Sequence, residues 1–211
     1  MKRLGLIFII LFSLLIINGV EYECYEGEKY YSYIENILVE NYNFVQNGVK
    51  SEYITNTSFD AEKDRILRLL NKDSKNTIDI VNNNIVCIKN MLTYNISLIN
   101  GDKTKVEIVI INNSRNIKSK ELRQAVEELK SNKCVGERIY YFSKVKINEE
   151  KNILPSILEG INEDTIEEVK ISNGKVLKAE FIDRSKINVG QINYNTGKYI
   201  IIGTPIIFVT Y

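Results

Sequence analysis

Apolar residues recur at spacings of three and four between Glu28 and Gln46, at Tyr30, Ile34, Ile37, Leu38, Tyr42 and Val45, with charged and amide side chains between them. This is the helical period, and it predicts an amphipathic helix. Asn47-Gly48 supplies its stop, because glycine accepts the left-handed conformation of a helix end. From Val49 the pattern changes. Residues 49–57 are strand-like, and Asp60 then caps a helix running to about Leu70, with Ile66, Leu69 and Leu70 on one side. Four strand-like runs follow, at Thr77–Val81, 85–89, Leu92–Ile99 and Thr104–Asn112. Asn82-Asn83-Asn84 and Asn100-Gly101-Asp102 separate them as tight hairpin turns. Residues 119–133 form a further helix, capped by Ser119, with Leu122, Ala125, Val126 and Leu129 as its apolar stripe.

The order then begins again. Residues 138–147 are strand-like. Asn148 caps a second short helix with Glu149 and Glu150 in its first turn, where acids favour the helix dipole. Pro155 inside that pattern imposes a kink or a late start. Strand-like runs follow at 165–171, 175–182, Lys186–Tyr194 and 199–210, with Asn173-Gly174 and Thr196-Gly197 as turns. An offset of 88 residues (60 to 148) aligns the two halves. It places Asp60 on Asn148, Glu62 on Glu150, Lys63 on Lys151, Ile66 on Leu154, Leu69 on Ile157 and Leu70 on Leu158, and also Tyr53 on Tyr141 and Thr77-Ile78 on Thr165-Ile166.

The predicted fold class is α+β. Two pseudo-repeats of strand, helix and four antiparallel strands build one curved antiparallel sheet with helices on one face, and an N-terminal amphipathic helix is added to them. Residues 119–133 close the first copy. The chain divides into 1–19, a helical segment 20–48, a first repeat 49–134 and a second repeat 135–211. Val106 to Ile111 (VEIVII) and Ile200-Ile201-Ile202 are apolar on both alternating faces, whereas a half-solvated sheet alternates cleanly. These strands need a cover on their second face. The N-terminal helix is the simplest cover, and a ligand or partner chain is the alternative.

Composition adds location. Hydrophobic residues at 44% and charged residues at 26% support a packed core and argue against global disorder. Residues 1–19 stand apart. Lys2 and Arg3 precede the apolar run Leu4 to Ile17 (LGLIFIILFSLLII), which is shorter than the ~20 residues of a comfortable bilayer span and reads as a secretory signal. Gly19 suits a cleavage site and Ile17 does not, so released and N-terminally anchored forms both stand. Either places the domain outside the cytoplasm, secreted or held on the outer face of the membrane. The formal net charge is +1; without Lys2 and Arg3, 26 basic residues against 27 acidic ones leave −1. That balance gives no pull toward nucleic acid or anionic membrane. Membrane contact is expected only through an uncleaved N-terminal segment.

Chemistry is bounded by what is missing from the sequence. The chain has no histidine, so no Ser–His or Cys–His nucleophile pair can form. Cys24, Cys87 and Cys134 show no metal-ligand spacing. No catalytic, cofactor-binding or metal-binding residue is singled out, and no cofactor is implied. A Cys87–Cys134 bridge and ordinary buried thiols both remain open. Glu149-Glu150 and Glu167-Glu168 are adjacent carboxylates, which point apart on a helix or strand and read as solvated faces. A cell-wall hydrolase using distant carboxylates stays an alternative. Gly203-Thr204-Pro205 lacks the glycines and lysine of a phosphate loop. There the glycine and proline interrupt the last strand's ladder, so a bulge or edge position is expected.

The closing stretch from Ile200 to Tyr211 (IIIGTPIIFVTY) resembles the C-terminus of the YwmB-like family of exported firmicute proteins, and Gly160-Ile161-Asn162-Glu163-Asp164 is similar to it as well. The resemblance covers about residues 28–211. It implies a signal segment followed by a repeated α+β domain of TATA-box-binding-protein-like fold, and it carries no catalytic residue onto this chain. The family label raises nucleic-acid binding as an alternative. Minor-groove proteins of that kind use basic residues and inserted apolar wedges, whereas these strands alternate acids with bases. The expected function is a non-catalytic exported domain that binds a protein or a cell-envelope component. Tyr22, Tyr25, Tyr30, Tyr31 and Tyr33 are interface-prone side chains, and helix packing accounts for Tyr30 and Tyr33 equally well.

Overall fold

The computed structural model describes residues 26–72, 76–148, 157 and 160–209. Its helices are α1 (Glu26–Asn41), α2 (Phe59–Leu70) and α3 (Ser119–Leu129). Its strands are β1 (Asn43–Thr55), β2 (Thr77–Val81), β3 (Asn84–Lys89), β4 (Leu92–Ile99), β5 (Thr104–Asn112), β6 (Cys134–Ile147), β7 (Ile161–Ile171), β8 (Gly174–Phe181), β9 (Lys186–Tyr194) and β10 (Gly197–Thr204). The protein is therefore α+β. All ten strands join one open antiparallel sheet in the order β2-β3-β4-β5-β1-β6-β10-β9-β8-β7. The two longest strands, β1 and β6, pair at its centre.

Successive strand residues face opposite sides of a sheet, and here one side carries the main core. Tyr31, Ile34 and Leu38 of α1, Ile66 and Leu70 of α2, and Leu122, Val126 and Leu129 of α3 are buried together. They meet Val49 and Tyr53 of β1, Val106, Ile108 and Ile110 of β5, Val145 of β6, and Ile200 and Ile202 of β10. All three helices thus lie on one face, and among the described residues no helix lies on the other, which segment 205–209 covers in part.

Local patterning predicts several boundaries well. β2, β4, β5 and β9 match their expected spans, and asparagines make the turns from β2 to β5 at little cost. Asn82 (φ 56°), Asn90 (φ 49°) and Met91 (φ 68°) adopt the left-handed conformations of tight hairpins.

The N-terminal helix is shorter than its periodicity. It ends at Asn41, whose Nδ2 donates to the Ile37 carbonyl at 2.8 Å. The apolar period of residues 43–46 is overridden by ladder pairing of β1 with β6. Asn47-Gly48 is consequently no helix stop but the middle of a strand. Nor does α1 cover the second face. Its apolar stripe sits among the other helices, and the second face around Ile201 is covered instead by Ile207, Phe208 and Val209.

The last strand stops at Thr204, not at residue 210. Pro205 offers no N–H to extend the ladder, while Gly203 remains paired, opposite Phe142 and Asn188. Ser58 rather than Asp60 precedes α2, and Ser119 begins α3 rather than capping it, with Lys118 in the capping position. The helix expected after Asn148, with Glu149, Glu150 and Pro155, lies outside the described residues except for Ile157, which is helical and buried. Residues 1–19, Tyr22, Cys24 and Tyr25 also lie outside them. Among the described residues no helix is long and apolar enough to cross a membrane.

Three carboxylates fasten the helices to the sheet. Glu35 of α1 is 1% exposed. It accepts from Asn47 Nδ2 (2.9 Å), Ser119 Oγ (2.7 Å), Ser143 Oγ (2.6 Å) and the Ser119 backbone N–H (3.1 Å). Since the Ser143 hydroxyl hydrogen goes to Glu35, Tyr31 Oη must donate to Ser143 Oγ at 2.9 Å. Glu62 of α2 is fully buried, accepts from Tyr53 Oη at 2.9 Å, and pairs with Arg65, which also donates to the Leu129 carbonyl. Glu137 of β6 pairs with Arg123 of α3 and with Lys130 just after it, and accepts from Ser51 Oγ of β1. Replacing Glu35 by alanine strands buried donors from three separate elements. Glu35→Ala is expected to lose at least about 3 kcal/mol of stability, read as a lower urea midpoint at unchanged m. A loss under about 1 kcal/mol would show that water replaces the carboxylate.

Candidate functional site on the open sheet face

The face on which none of the described helices lies divides into three zones. At the centre, β1 and β5 carry an ion-paired cluster. Lys50 Nζ lies 2.7 Å from Glu52 Oε1 and 2.8 Å from Glu107 Oε2, and Lys105 Nζ lies 3.7 Å from Glu52 Oε2. The strand register makes this cluster. Glu52 pairs with Glu107 across β1 and β5, and Lys50, two residues along, sits on the same face and reaches both. The hydrogen bond from Lys50 holds the Glu52 carboxyl below the usual carboxylate range, against a smaller opposing effect of burial. Burial lowers the Lys50 amine, but the hydrogen bonds to Glu107 and Glu52 outweigh it and raise it overall. Lys50 also stands 5.5 Å from the Tyr140 ring centroid.

On one side of this centre, β3 and β4 turn only uncharged side chains to the open face: Asn84, Val86 and Ile88, then Thr93, Asn95, Ser97 and Ile99. Ile88 is 53% exposed and Ile99 56%, and Val81 of β2 continues the surface at 55%. On the other side, β6, β9 and β10 carry a lysine–tyrosine corner. Lys144 Nζ lies 4.5 Å and 4.7 Å from the Tyr194 and Tyr199 ring centroids, and those rings meet edge-on at 5.3 Å. Between the corner and the centre, Phe142, Ile192 and Ile201 form a fully buried apolar strip beneath Ile207, Phe208 and Val209.

The residues considered for chemistry are dispersed. Glu167 and Glu168 fall on opposite faces of β7 and pair separately, with Lys178 at 3.9 Å and Lys175 at 2.8 Å. Cys87 and Cys134 are free thiols, and burial pushes both upward in pKa, away from the reactive thiolate. Among the described residues no three His, Cys, Asp or Glu side chains gather as a metal site. Of the tyrosines, Tyr30 stacks on Phe181 and Tyr31 on Tyr141, so both belong to the helix face. Sequence reasoning missed the Lys50–Glu52–Glu107 cluster, although its signal was present: alternating charge in strands that pair. No protein-family model matches the chain, and no curated protein matches it either.

The central cluster can be tested directly. In Lys50→Met, the Glu52 side chain is expected to titrate at a higher pH than in the parent chain, toward the ordinary 4.5, by NMR. Because the folded pKa is depressed, Glu52 stabilises the fold above its unfolded pKa, and that part is lost as pH falls through the folded value. The total cost of Lys50→Met is expected to stay below about 1 kcal/mol, as for partly exposed pairs. An unmoved Glu52 titration would mean that Lys50 does not set its pKa.

Proposed function

We infer that this protein is an exported, non-catalytic domain that binds a protein or cell-envelope partner on the open face of its sheet. The observation that carries this reading is the uncovered surface of β3 and β4, where β-branched side chains stand exposed beside a neutralised ionic centre. Scattered exposed apolar residues mean little, but a contiguous uncharged strip on a face the fold leaves bare favours association. Export rests on Lys2, Arg3 and the apolar run that follows them.

The architecture belongs to the same proposal: two pseudo-repeats of TATA-box-binding-protein-like form, as the resemblance to the YwmB-like family implies. Two facts support it. The strand order runs outward from the central pair as 5-4-3-2 on one side and 10-9-8-7 on the other. The burial sequence of residues 47–53 in β1 recurs at 141–147 in β6, a spacing of 94 residues rather than 88. Gly48 and Phe142, 94 apart, face each other in the β1–β6 ladder, where a two-fold axis would pass. In that arrangement Tyr141 corresponds to Asn47 and not to Tyr53, and α1 precedes β1 as α3 precedes β6.

Nucleic-acid binding is the weaker reading, because Lys50 and Lys105, in the middle of the face, are paired with carboxylates on the same face. Ile88→Lys and Ile99→Lys are expected to keep the fold and lose at least about tenfold in capture of an envelope or surface partner from intact cells. Unchanged capture by both variants would remove the β3–β4 surface from the proposal. Duplex DNA at low salt is expected to show no gel shift with the domain, and a clear shift would favour the family label instead. Sequencing the N-terminus of protein recovered from the culture medium or the membrane fraction checks export. Recovery in the cytoplasm alone would defeat it.

A further inference from the structure

Segment 205–209 lies on the open face in a manner unlike the rest of the core. Its floor, Phe142, Ile192 and Ile201, is 0% exposed. The segment itself is only partly buried, belongs to no strand, and leaves Ile206 52% exposed. Ile111, Ile171 and Tyr194 of the sheet also pack against this floor, and residues 207–209 complete its cover from outside the sheet. Phe208 meets the Phe142 ring edge-on at 5.1 Å between centroids, the geometry that aromatic pairs prefer. A side-chain hydrogen bond fastens it to β9: Asn188 Nδ2 donates to the Pro205 carbonyl at 2.7 Å.

Two glycines shape the trough. A β-carbon on Gly48 would come within 2.4 Å of the Phe142 ring, so its absence lets that ring lie low over β1. A β-carbon on Gly203 would come within 2.8 Å of Ile207 Cγ1 and 2.9 Å of the Ile206 carbonyl and Ile207 Cα, and these three nearest atoms all belong to the overlying segment. The missing Gly203 side chain is therefore space used by the cover. Beside Pro205 and Ile206 a depression of about 450 Å³ opens between Asn188, Lys178 and Glu180, so one flank of the segment is reached by solvent.

We propose that this strip is a peptide-binding groove for an extended, uncharged segment of a partner protein bearing β-branched residues and one aromatic, and that residues 205–209 fill it in cis until such a segment displaces them. The proposal rests on the binding function inferred above and names its mode. The occupant seen in the groove defines its chemistry: Pro205-Ile206-Ile207-Phe208-Val209 carries no charge and turns Ile207, Phe208 and Val209 onto the apolar floor. Recognition of this kind joins apolar contacts on the floor to a main-chain carbonyl held by Asn188.

The test uses a fluorescent synthetic peptide of sequence TPIIFVTY. It is titrated against the mature chain, the mature chain ended at Thr204, and full-length Gly203→Ala. The shortened chain is expected to bind it saturably, one to one. The intact chain is expected to bind at least about 100-fold more weakly, because its own segment competes at a millimolar effective concentration. A peptide with aspartate in place of the phenylalanine is expected not to bind. A folded shortened chain, with parental circular dichroism and dispersed NMR signals, that ignores the peptide would overturn the proposal. Should the shortened chain fail to fold, Gly203→Ala decides. Fast amide exchange at 206–209 over a protected sheet supports a displaceable segment, and joint loss of sheet protection overturns it. A concentration-dependent dimer that exchanges segments between copies would assign the groove to self-association and overturn the partner reading. Peptide binding with unchanged partner capture by Ile88→Lys and Ile99→Lys would leave the groove standing and sink only the β3–β4 surface. Capture lost in those variants with no peptide binding would do the reverse.

Discussion

Glu35 sits buried in α1, and every group that donates to it is neutral: the Asn47 amide of β1, the Ser119 hydroxyl and N–H of α3, and the Ser143 hydroxyl of β6. A carboxylate so placed is stable only while its acceptor sites stay filled, since an unpaired charge in the interior costs several kcal/mol. It therefore fixes four elements at once. It binds the first N–H of α3, where the helix dipole favours a negative group. It also sets the direction of the Tyr31–Ser143 hydrogen bond. Both helices that flank the central β1–β6 pair are thereby tied to one side of it. Among the described residues, no helix lies on the opposite side, and the polar anchors of α1, α2 and α3 all point the same way.

The two faces then use charge differently. On the helix face, Glu62–Arg65–Tyr53 and Glu137–Arg123–Lys130–Ser51 join residues that are largely buried, and each network links a helix to the sheet. Burial alone would raise the Glu137 carboxyl. The hydrogen bonds from Arg123, Lys130 and Ser51 outweigh it and bring the net shift below the usual range. On the open face, Lys50 and Glu52 are as enclosed as Arg123 and Glu137, but their partners Glu107 (34% exposed) and Lys105 (47%) reach solvent, and such part-exposed contacts are worth at most about 1 kcal/mol. They neutralise the surface more than they hold it together.

Much of the sheet was legible in the chain. Alternation and asparagine turns located β2, β4, β5 and β9, because hairpins are local and each strand's neighbour follows it in sequence. What failed was non-local. Asn43 to Gln46 keep a helical period, but pairing with β6 a hundred residues away decides their conformation. Glu35 looked like one polar residue among many on an amphipathic helix, and only the approach of Ser119 and Ser143 makes it a hub. The apolar run after Pro205 looked like more strand, since nothing in its composition separates an extended segment in a ladder from one laid across a face. The second apolar face of Ile200-Ile201-Ile202 does have a cover, as its pattern demands, but Ile207 and Phe208 supply it rather than α1.

The edges of the sheet direct any partner toward its face. β7 ends the sheet with Glu163, Asp164, Glu167 and Glu168 and an irregular register between Asn162 and Glu167. β2, at the other end, is five residues long and holds Asp79 at its middle. Short, charged or bulged edges resist the addition of a further strand, and two copies of β2 paired about their centres would bring Asp79 against Asp79. Association by backbone pairing is thus disfavoured at both ends. What remains is the broad face, with an exposed uncharged zone on β3 and β4 and an apolar strip that the chain itself covers. That strip is apolar enough to hold a segment tethered beside it, as Ile207, Phe208 and Val209 show. The physical question it poses is which segment covers it.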